Sequence, residues 1–443
     1  MWHLSSIKIL CAQILFSIPG LAMAQQVKPK HVILITIDGM RGEMITNPTI
    51  ASENLKQMRA EGLYVDSIKG VTPAATYPSH TTIVTGALPS RHNIFYNAPF
   101  MGNQPRTISY WYADSIKAET LWQTVTEKGG IVASLFWPVS TGSRYIKYNV
   151  PEYWSIKPGA DQMAFLRANC SPAGLLDTLE LHATGRLDEE NFTAGSINRD
   201  VREAYMANYI MNHYKPTLMT IHLITTDYAQ HQTGTKSLRT RRTIESADAA
   251  VGVILDNLRD HGLMDSTVVI VTGDHGFVDV NRQLAPNTLL VKAGLLGKEY
   301  GSNWKACFHG AGAMSFLYLR KPNDAKTLKR VEKLLAGLPN NVKAKFRVIH
   351  REELTRLGCD PKVALAIEPV AGVDVSNSRE GSVIRPRKGG DHGYSCGIDH
   401  TVLVAYGAGI QNATVPTMEQ TSIKQFILDR LAISTLPHEE KRK

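Results

Sequence analysis

Apolar positions along the chain follow two rhythms. The run His31-Val-Ile-Leu-Ile-Thr-Ile37 is continuous and largely β-branched, the mark of a strand covered on both faces. Residues 218–224, 267–271 and 401–406 read the same way. Between these runs the spacing shifts to three and four residues. Residues 118–128, closing on Gly129-Gly130, and 200–214, stopping before Pro216, are predicted helices. A longer one over 238–261 sets Ile244, Val251, Leu255 and Leu258 on one face ahead of Gly262, and 323–335 repeats the habit with Leu328, Val331 and Leu335. Strands alternating with helices predict an α/β fold: a mostly parallel central sheet with helices on both faces. Such sheets bind ligands beyond the carboxyl ends of their strands, so residues placed directly after strands are the most informative.

Residues 281–388 break the alternation. Two strand-like runs, 313–319 and 342–349, surround the helix at 323–335. The pattern predicts a smaller α+β lobe, inserted into a main domain over 25–443 and folded back over the site. The length of 443 residues accommodates both, since single cores stop growing near ~250–300 residues.

Composition narrows the class. With 43% hydrophobic and 20% charged residues the chain is neither disordered, collagen-like nor coiled-coil. Lys and Arg outnumber Asp and Glu by 49 to 40, a net charge of +9. That balance favours an anionic partner, whether phosphate ester, nucleic acid or lipid, without choosing among them. No basic run forms a nucleic-acid tail, and no stable nucleic-acid complex is expected. Residues 1–24 read as a signal peptide: Lys8, an apolar stretch over 9–18, a break at Pro19-Gly20, then Ala22-Met23-Ala24 before Gln25. The stretch is shorter than the ~20 residues of a membrane span. A periplasmic or secreted protein with no transmembrane anchor is therefore expected. Beyond Cys11, which leaves with the signal, Cys170, Cys307, Cys359 and Cys396 allow three disulfide pairings, and nothing selects one.

Acids and histidines stand at the strand ends. Asp38 follows Ile37 directly, Asp227 follows the 218–224 strand with His231 four residues on, and Asp274-His275 follows the 267–271 strand. The tetrapeptide Gly-Asp-His-Gly at 273–276 recurs at 390–393, bringing Asp391 and His392. Singly these have ordinary readings as turns, caps or a helix-face pair. Together, three ends of one parallel sheet deliver carboxylates and imidazoles to one rim, a donor set suited to zinc or another borderline divalent ion. There are enough ligands for two metals, the layout for displacement at phosphorus. Thr76, just before Tyr77-Pro78 at the start of a helix running to Thr85, is either the nucleophile or an N-cap.

These blocks together resemble the nucleotide pyrophosphatase/phosphodiesterase family (type I phosphodiesterases), a branch of the alkaline phosphatase superfamily. The resemblance is carried by Ile35-Thr-Ile-Asp-Gly39, Thr76-Tyr-Pro-Ser-His80, Thr85-Gly-Ala-Leu-Pro89, Arg91-His92-Asn-Ile94, Phe136-Trp-Pro138, Asp227 with His231, Gly273-Asp-His-Gly276 and His392-Gly-Tyr394. It implies an alkaline-phosphatase-like fold and two zinc ions per chain. One would be held by Asp227, His231 and His392, the other by Asp38, Asp274, His275 and the Thr76 oxygen. Thr76 would attack phosphorus to give a phosphothreonine, later hydrolysed by water activated at zinc. Asn97 would hydrogen-bond a non-bridging phosphate oxygen, helped by the backbone N–H beside Thr76. Two positions depart from the family pattern: Tyr77 where Phe is usual, and Val139 where Gly is usual. Asp391 matches no required residue and reads as a turn residue or a support to the ligands.

The implied substrate is a small phosphodiester of the nucleotide class, with Tyr77, Trp137 and Tyr153 as aromatic substrate-binding residues. A monoesterase of the superfamily would place a cation on the terminal phosphoryl group; Arg144 and Lys147 are the nearby cations, and they read as solvated loop charges. A choline or lysophospholipid phosphodiesterase and an inactive metal-binding relative are the remaining alternatives.

Overall fold

The computed structural model describes residues 29–434 except 155–158, 396 and 399. The signal segment and Cys396 lie outside the described residues. The strands of the main domain are β1 (His31–Ile37), β2 (Leu63–Lys69), β3 (Val132–Leu135), β4 (Tyr148–Val150), β5 (Leu218–Leu223) and β6 (Thr267–Thr272). Next come β7 (Val278–Asp279), β8 (Arg282–Leu284), β9 (Ala306–Ala311), β10 (Met314–Leu319), β11 (Phe346–His350) and β12 (Leu365–Pro369). The last six are β13 (Val373–Val375), β14 (Ile384–Pro386), β15 (Gly390–Asp391), β16 (Thr401–Gly407), β17 (Ala413–Val415) and β18 (Met418–Glu419).

The nine-stranded central sheet runs β17-β2-β16-β6-β1-β5-β3-β4, with β18 also against β2. The core strands β1, β5, β6 and β3 are parallel, so their carboxyl ends share one edge. Strand β1 is buried throughout, and its alternation divides the core. Ile33, Ile35 and Ile37 enter one apolar cluster with Ile244, Val251, Leu255 and Leu258 of the Leu238–Asp260 helix. Val32 and Leu34 enter the other, against Ile83, Val84 and the Ile423–Arg430 helix. Strand β16 differs from expectation in direction, being antiparallel to both β2 and β6. A strand buried on two faces carries the same apolar signature either way.

The segment after β6 builds its own sheets: β11-β12-β10-β9, and β13-β8-β14. The Ala325–Ala336 helix packs Val331 and Leu335 onto the first of these. Residues 342–349 are not one strand. Val342 belongs to a short helix, Asn340–Lys343, and β11 begins only at Phe346. Cys170, Cys307 and Cys359 are free and buried, and burial pushes their thiols up to about 12, 11 and 12.

Candidate metal centre

Strand ends position the acids. The Asp38 N–H donates to Leu223 O at the end of β5 (2.8 Å), which levels the two ends. Asp227 and His231 lie one turn apart on the Thr225–Thr233 helix that leaves β5. Asp274 and His275 follow β6, and His392 follows β15. All six residues converge. His275 Nε2 is 3.2 Å from Asp38 Oδ1 and 3.1 Å from Asp274 Oδ2. Asp227 Oδ1 is 3.4 Å from His231 Nε2 and 3.6 Å from His392 Nε2. The His275 and His392 rings stack with centroids 3.5 Å apart, joining the two groups.

The hydrogen bonds around these rings settle which nitrogen faces the acids. His275 Nδ1 is 3.0 Å from Gly276 O, His392 Nδ1 is 2.9 Å from Ala74 O, and His231 Nδ1 is 3.2 Å from Gly390 O. A carbonyl only accepts, so each Nδ1 carries a proton and each ring turns its Nε2 toward the carboxylates. Burial pushes His275 down to about 3 and His392 well below its usual value, keeping both neutral. The facing atoms Asp38 Oδ1, Asp227 Oδ1 and Asp274 Oδ2 are buried without a hydrogen-bond donor. Burial pushes Asp227 up to about 6 and Asp38 well above the carboxylate range, the latter reinforced by Asp274. Orphaned carboxylate oxygens and imidazole lone pairs converging on one space are a donor set completed by cations. The residues fit divalent metal. The trio Asp38, Asp274 and His275 has its donor atoms mutually within 4.8 Å.

Thr76 is the first residue of the Thr76–Thr85 helix, with Ala75 at the N-cap. Its hydroxyl therefore does not cap the helix; it lies 3.5 Å from His275 Nε2, at the mouth of the cluster. The Tyr77 N–H donates to Asn97 Oδ1 (3.0 Å), which turns the Asn97 NH₂ the other way. The backbone N–H beside Thr76 thus orients the amide instead of sharing its task. The Thr76 N–H, at the helix start, has no intrahelical acceptor.

Two histidines escaped the sequence reading. His80, one turn after Thr76, contacts Thr76 O and Thr36 Oγ1 at 2.8 Å each, and its Nδ1 is 3.5 Å from Asp274 Oδ2. His222 sits opposite Thr36 in β5 and places Nε2 3.1 Å from Asp38 Oδ2. Both are wholly buried. An imidazole inside the apolar run 218–224 was the available signal. Asp391 stands behind His231, 4.0 Å from its Nδ1, and accepts the His392 N–H (2.8 Å).

Of the three aromatic residues expected to bind substrate, two are buried. Trp137 is fully buried, edge-on to His80 at 4.8 Å, and offers no face to a substrate. Tyr77 is also buried, packed on Ile94 and Val139. Tyr153 stacks on Phe165 at 3.5 Å. Arg144 and Lys147 lie over Tyr145 and Tyr148 at the entry to β4, the end of the sheet opposite Asp38. The rim opens instead into a cleft of about 470 Å³. Its lining includes Asn97, Arg106, His231 and His392 from the main domain and His309, Arg379 and Arg387 from the segment after β6. The β9–β10 turn is pressed against the ligand loop. Ala313 N–H donates to His392 O (2.7 Å), and a Cβ on Gly312, at φ +61°, would come within 2.3 Å of that oxygen.

Comparison with known proteins gives a consistent picture. Residues 32–395 match the family model described as type I phosphodiesterase / nucleotide pyrophosphatase. The chain is 24% identical over 258 residues to the rat ectonucleotide pyrophosphatase/phosphodiesterase family member 3, covering 55% of this chain and 24% of that one. It is 20% identical over 429 residues to a venom phosphodiesterase of Naja atra, covering 92% and 45%. The chain spans less than half the length of these relatives. Among solved structures, an inactive murine ectonucleotide pyrophosphatase/phosphodiesterase 5 in complex with AMP superposes with a TM-score of 0.63 at 18% identity, covering 93% of this chain and 97% of that one.

Proposed function

The chain belongs to the type I phosphodiesterase / nucleotide pyrophosphatase family, and from that premise we propose that it is a secreted two-zinc hydrolase cleaving phosphodiester or pyrophosphate bonds of nucleotides through a phosphothreonine. The observation that carries this reading is the convergence of three orphaned carboxylate oxygens and three Nε2 atoms beside the Thr76 hydroxyl. Asp38, Asp274 and His275 hold one ion, and Asp227, His231 and His392 the other. When bound, the ions supply the charge that stabilises a Thr76 alkoxide and the departing oxygen. Thr76 Oγ1 bonds to phosphorus as the leaving group departs, and water later takes the phosphoryl group from the threonine. Asn97 donates through its free NH₂ to a non-bridging oxygen, its carbonyl already engaged by Tyr77 N–H. Residues 281–388 act as the inserted lobe that forms the far wall of the cleft. The nucleotide class is supported by the AMP complex of the murine relative, and secretion by the 1–24 segment. Among the described residues no helix is long and apolar enough to cross a membrane.

The test is turnover of purified protein on the nitrophenyl ester of a nucleoside monophosphate against nitrophenyl phosphate. The diester is expected to react faster by at least about a hundredfold, and Thr76→Ala to lose roughly a thousandfold or more. The reverse substrate ratio makes the protein a monoesterase, and a fully active Thr76→Ala removes the nucleophile.

A further inference from the structure

The departure at Tyr77 has a partner on the cleft wall. The Tyr77 ring is buried, yet its hydroxyl is used: Trp154 Nε1 donates to it at 3.0 Å. The Trp154 indole carries the Arg106 guanidinium on its face, Cζ 4.5 Å from the ring centroid. Arg106 Nη2 donates to Ser109 Oγ at 3.0 Å, and Ser109 Oγ donates to Asn97 O at 2.5 Å. Asn97 Oδ1 accepts the Tyr77 N–H, which closes the circuit on the residue where it began. Five residues, Tyr77, Asn97, Ser109, Arg106 and Trp154, thus form one ring beside the nucleophile. A guanidinium is costly to immobilise, because its side chain loses several rotors. Here a stacking face and a hydroxyl hold it, and no carboxylate among the described residues is paired with it. It lines the same cleft as Asn97, His231 and His392. A cation fixed in place, uncompensated and open to the cleft is suited to an anionic oxygen of a ligand.

We propose that Arg106 is the specificity-determining cation of the site. Held by the Tyr77 hydroxyl through Trp154, it contacts an anionic group adjoining the phosphoryl group held at Thr76 and Asn97. The enzyme then favours esters with a second negative charge next to the scissile phosphorus, as in pyrophosphate-linked substrates, over diesters with a neutral neighbour. The inference rests on the phosphodiesterase/pyrophosphatase reading above. Tyr77 in this scheme is a positioning residue and acts only through Trp154.

The experiment measures kcat/KM of the zinc-loaded protein for a nucleoside triphosphate and for the nitrophenyl ester of a nucleoside monophosphate. Arg106→Gln is expected to lower the triphosphate value on the order of tenfold or more beyond whatever it takes from the nitrophenyl ester, the strength of a hydrogen bond to a charged group. Arg106→Lys is expected to recover part of the loss, and Tyr77→Phe to shift the same ratio in the same direction by a smaller factor. Equal losses on both substrates, or none in Arg106→Gln and Tyr77→Phe folded to the wild-type melting temperature, overturn the assignment. A wild-type protein inactive on both substrates overturns the underlying hydrolase reading, and the assignment with it.

Discussion

The two halves of the candidate metal centre draw on the same residue types, aspartate and histidine, in different surroundings. In the half holding Asp38, Asp274 and His275, the side chains are 6%, 0% and 0% exposed. In the half holding Asp227, His231 and His392, they are 19%, 31% and 6% exposed. The first half is set at the ends of β1 and β6, and two further buried imidazoles, His80 and His222, stand behind it. The second is carried by a helix of nine residues and by a loop, with Asp391 behind it. Two carboxylates and one imidazole in the inner half, and one carboxylate and two imidazoles in the outer, thus face different dielectric settings: the inner half is set in place by the sheet, and the outer half opens toward solvent and cleft. Affinity is expected to follow support and burial, since partners behind the ligands hold them in place.

The largest effect that tests this contrast comes from removing an inner acid. Asp274→Asn is expected to lower turnover by roughly a hundredfold or more and to reduce bound metal measured by mass spectrometry. The asparagine Oδ1 can still accept the N–H groups of Gly39 and His275 as Asp274 Oδ1 does, so the loss falls on the oxygen that faces His275. A variant retaining full metal and full turnover would erase the distinction. Next in size is the consequence of chelation. A graded chelator series should remove metal in two stages, the more exposed half first, with a larger fall in melting temperature at the second stage. Release of all metal in one step would mean that the halves bind as a unit. The smallest of the three is His222→Ala, a residue that faces no substrate. It should weaken metal binding at the inner half by about ten- to a hundredfold, as removal of an outer partner does, and leave the outer half's first-stage release unchanged.

The same contrast governs how much was legible in the chain. Asp38 directly follows one continuous β-branched run and Asp274 stands two residues after another, and it was the conjunction of several such ends on one rim of a parallel sheet that set them apart from ordinary turns. The Asp227–His231 spacing announced a helix face. What stayed hidden depends on direction and facing, which a linear pattern does not encode. Strand β16 looked parallel because double burial removes the alternation that distinguishes orientations. Trp137 looked like pocket surface because it adjoins a motif, yet its loop turns it into the core beside His80. Arg106 and Arg379 come from chain regions with no periodicity, and only the fold brings them to one cleft. In the lobe, β12 reads Leu-Ala-Ile-Glu-Pro. Its Glu368 is buried because Arg347 of the neighbouring β11 pairs with it at 2.5 Å, a compensation invisible until the two strands are side by side.

Gly312 ties the fate of the lobe to that of the chemistry. With no room for even one carbon between it and the His392 carbonyl, that turn acts as a gauge block between the lobe and the main domain. Loops elsewhere in the lobe can lengthen, shorten or be exchanged to reshape what the cleft admits. The tolerance at this one turn is below a methyl group, so whatever is grafted onto the frame must return to the same spot before the outer ligand finds its place.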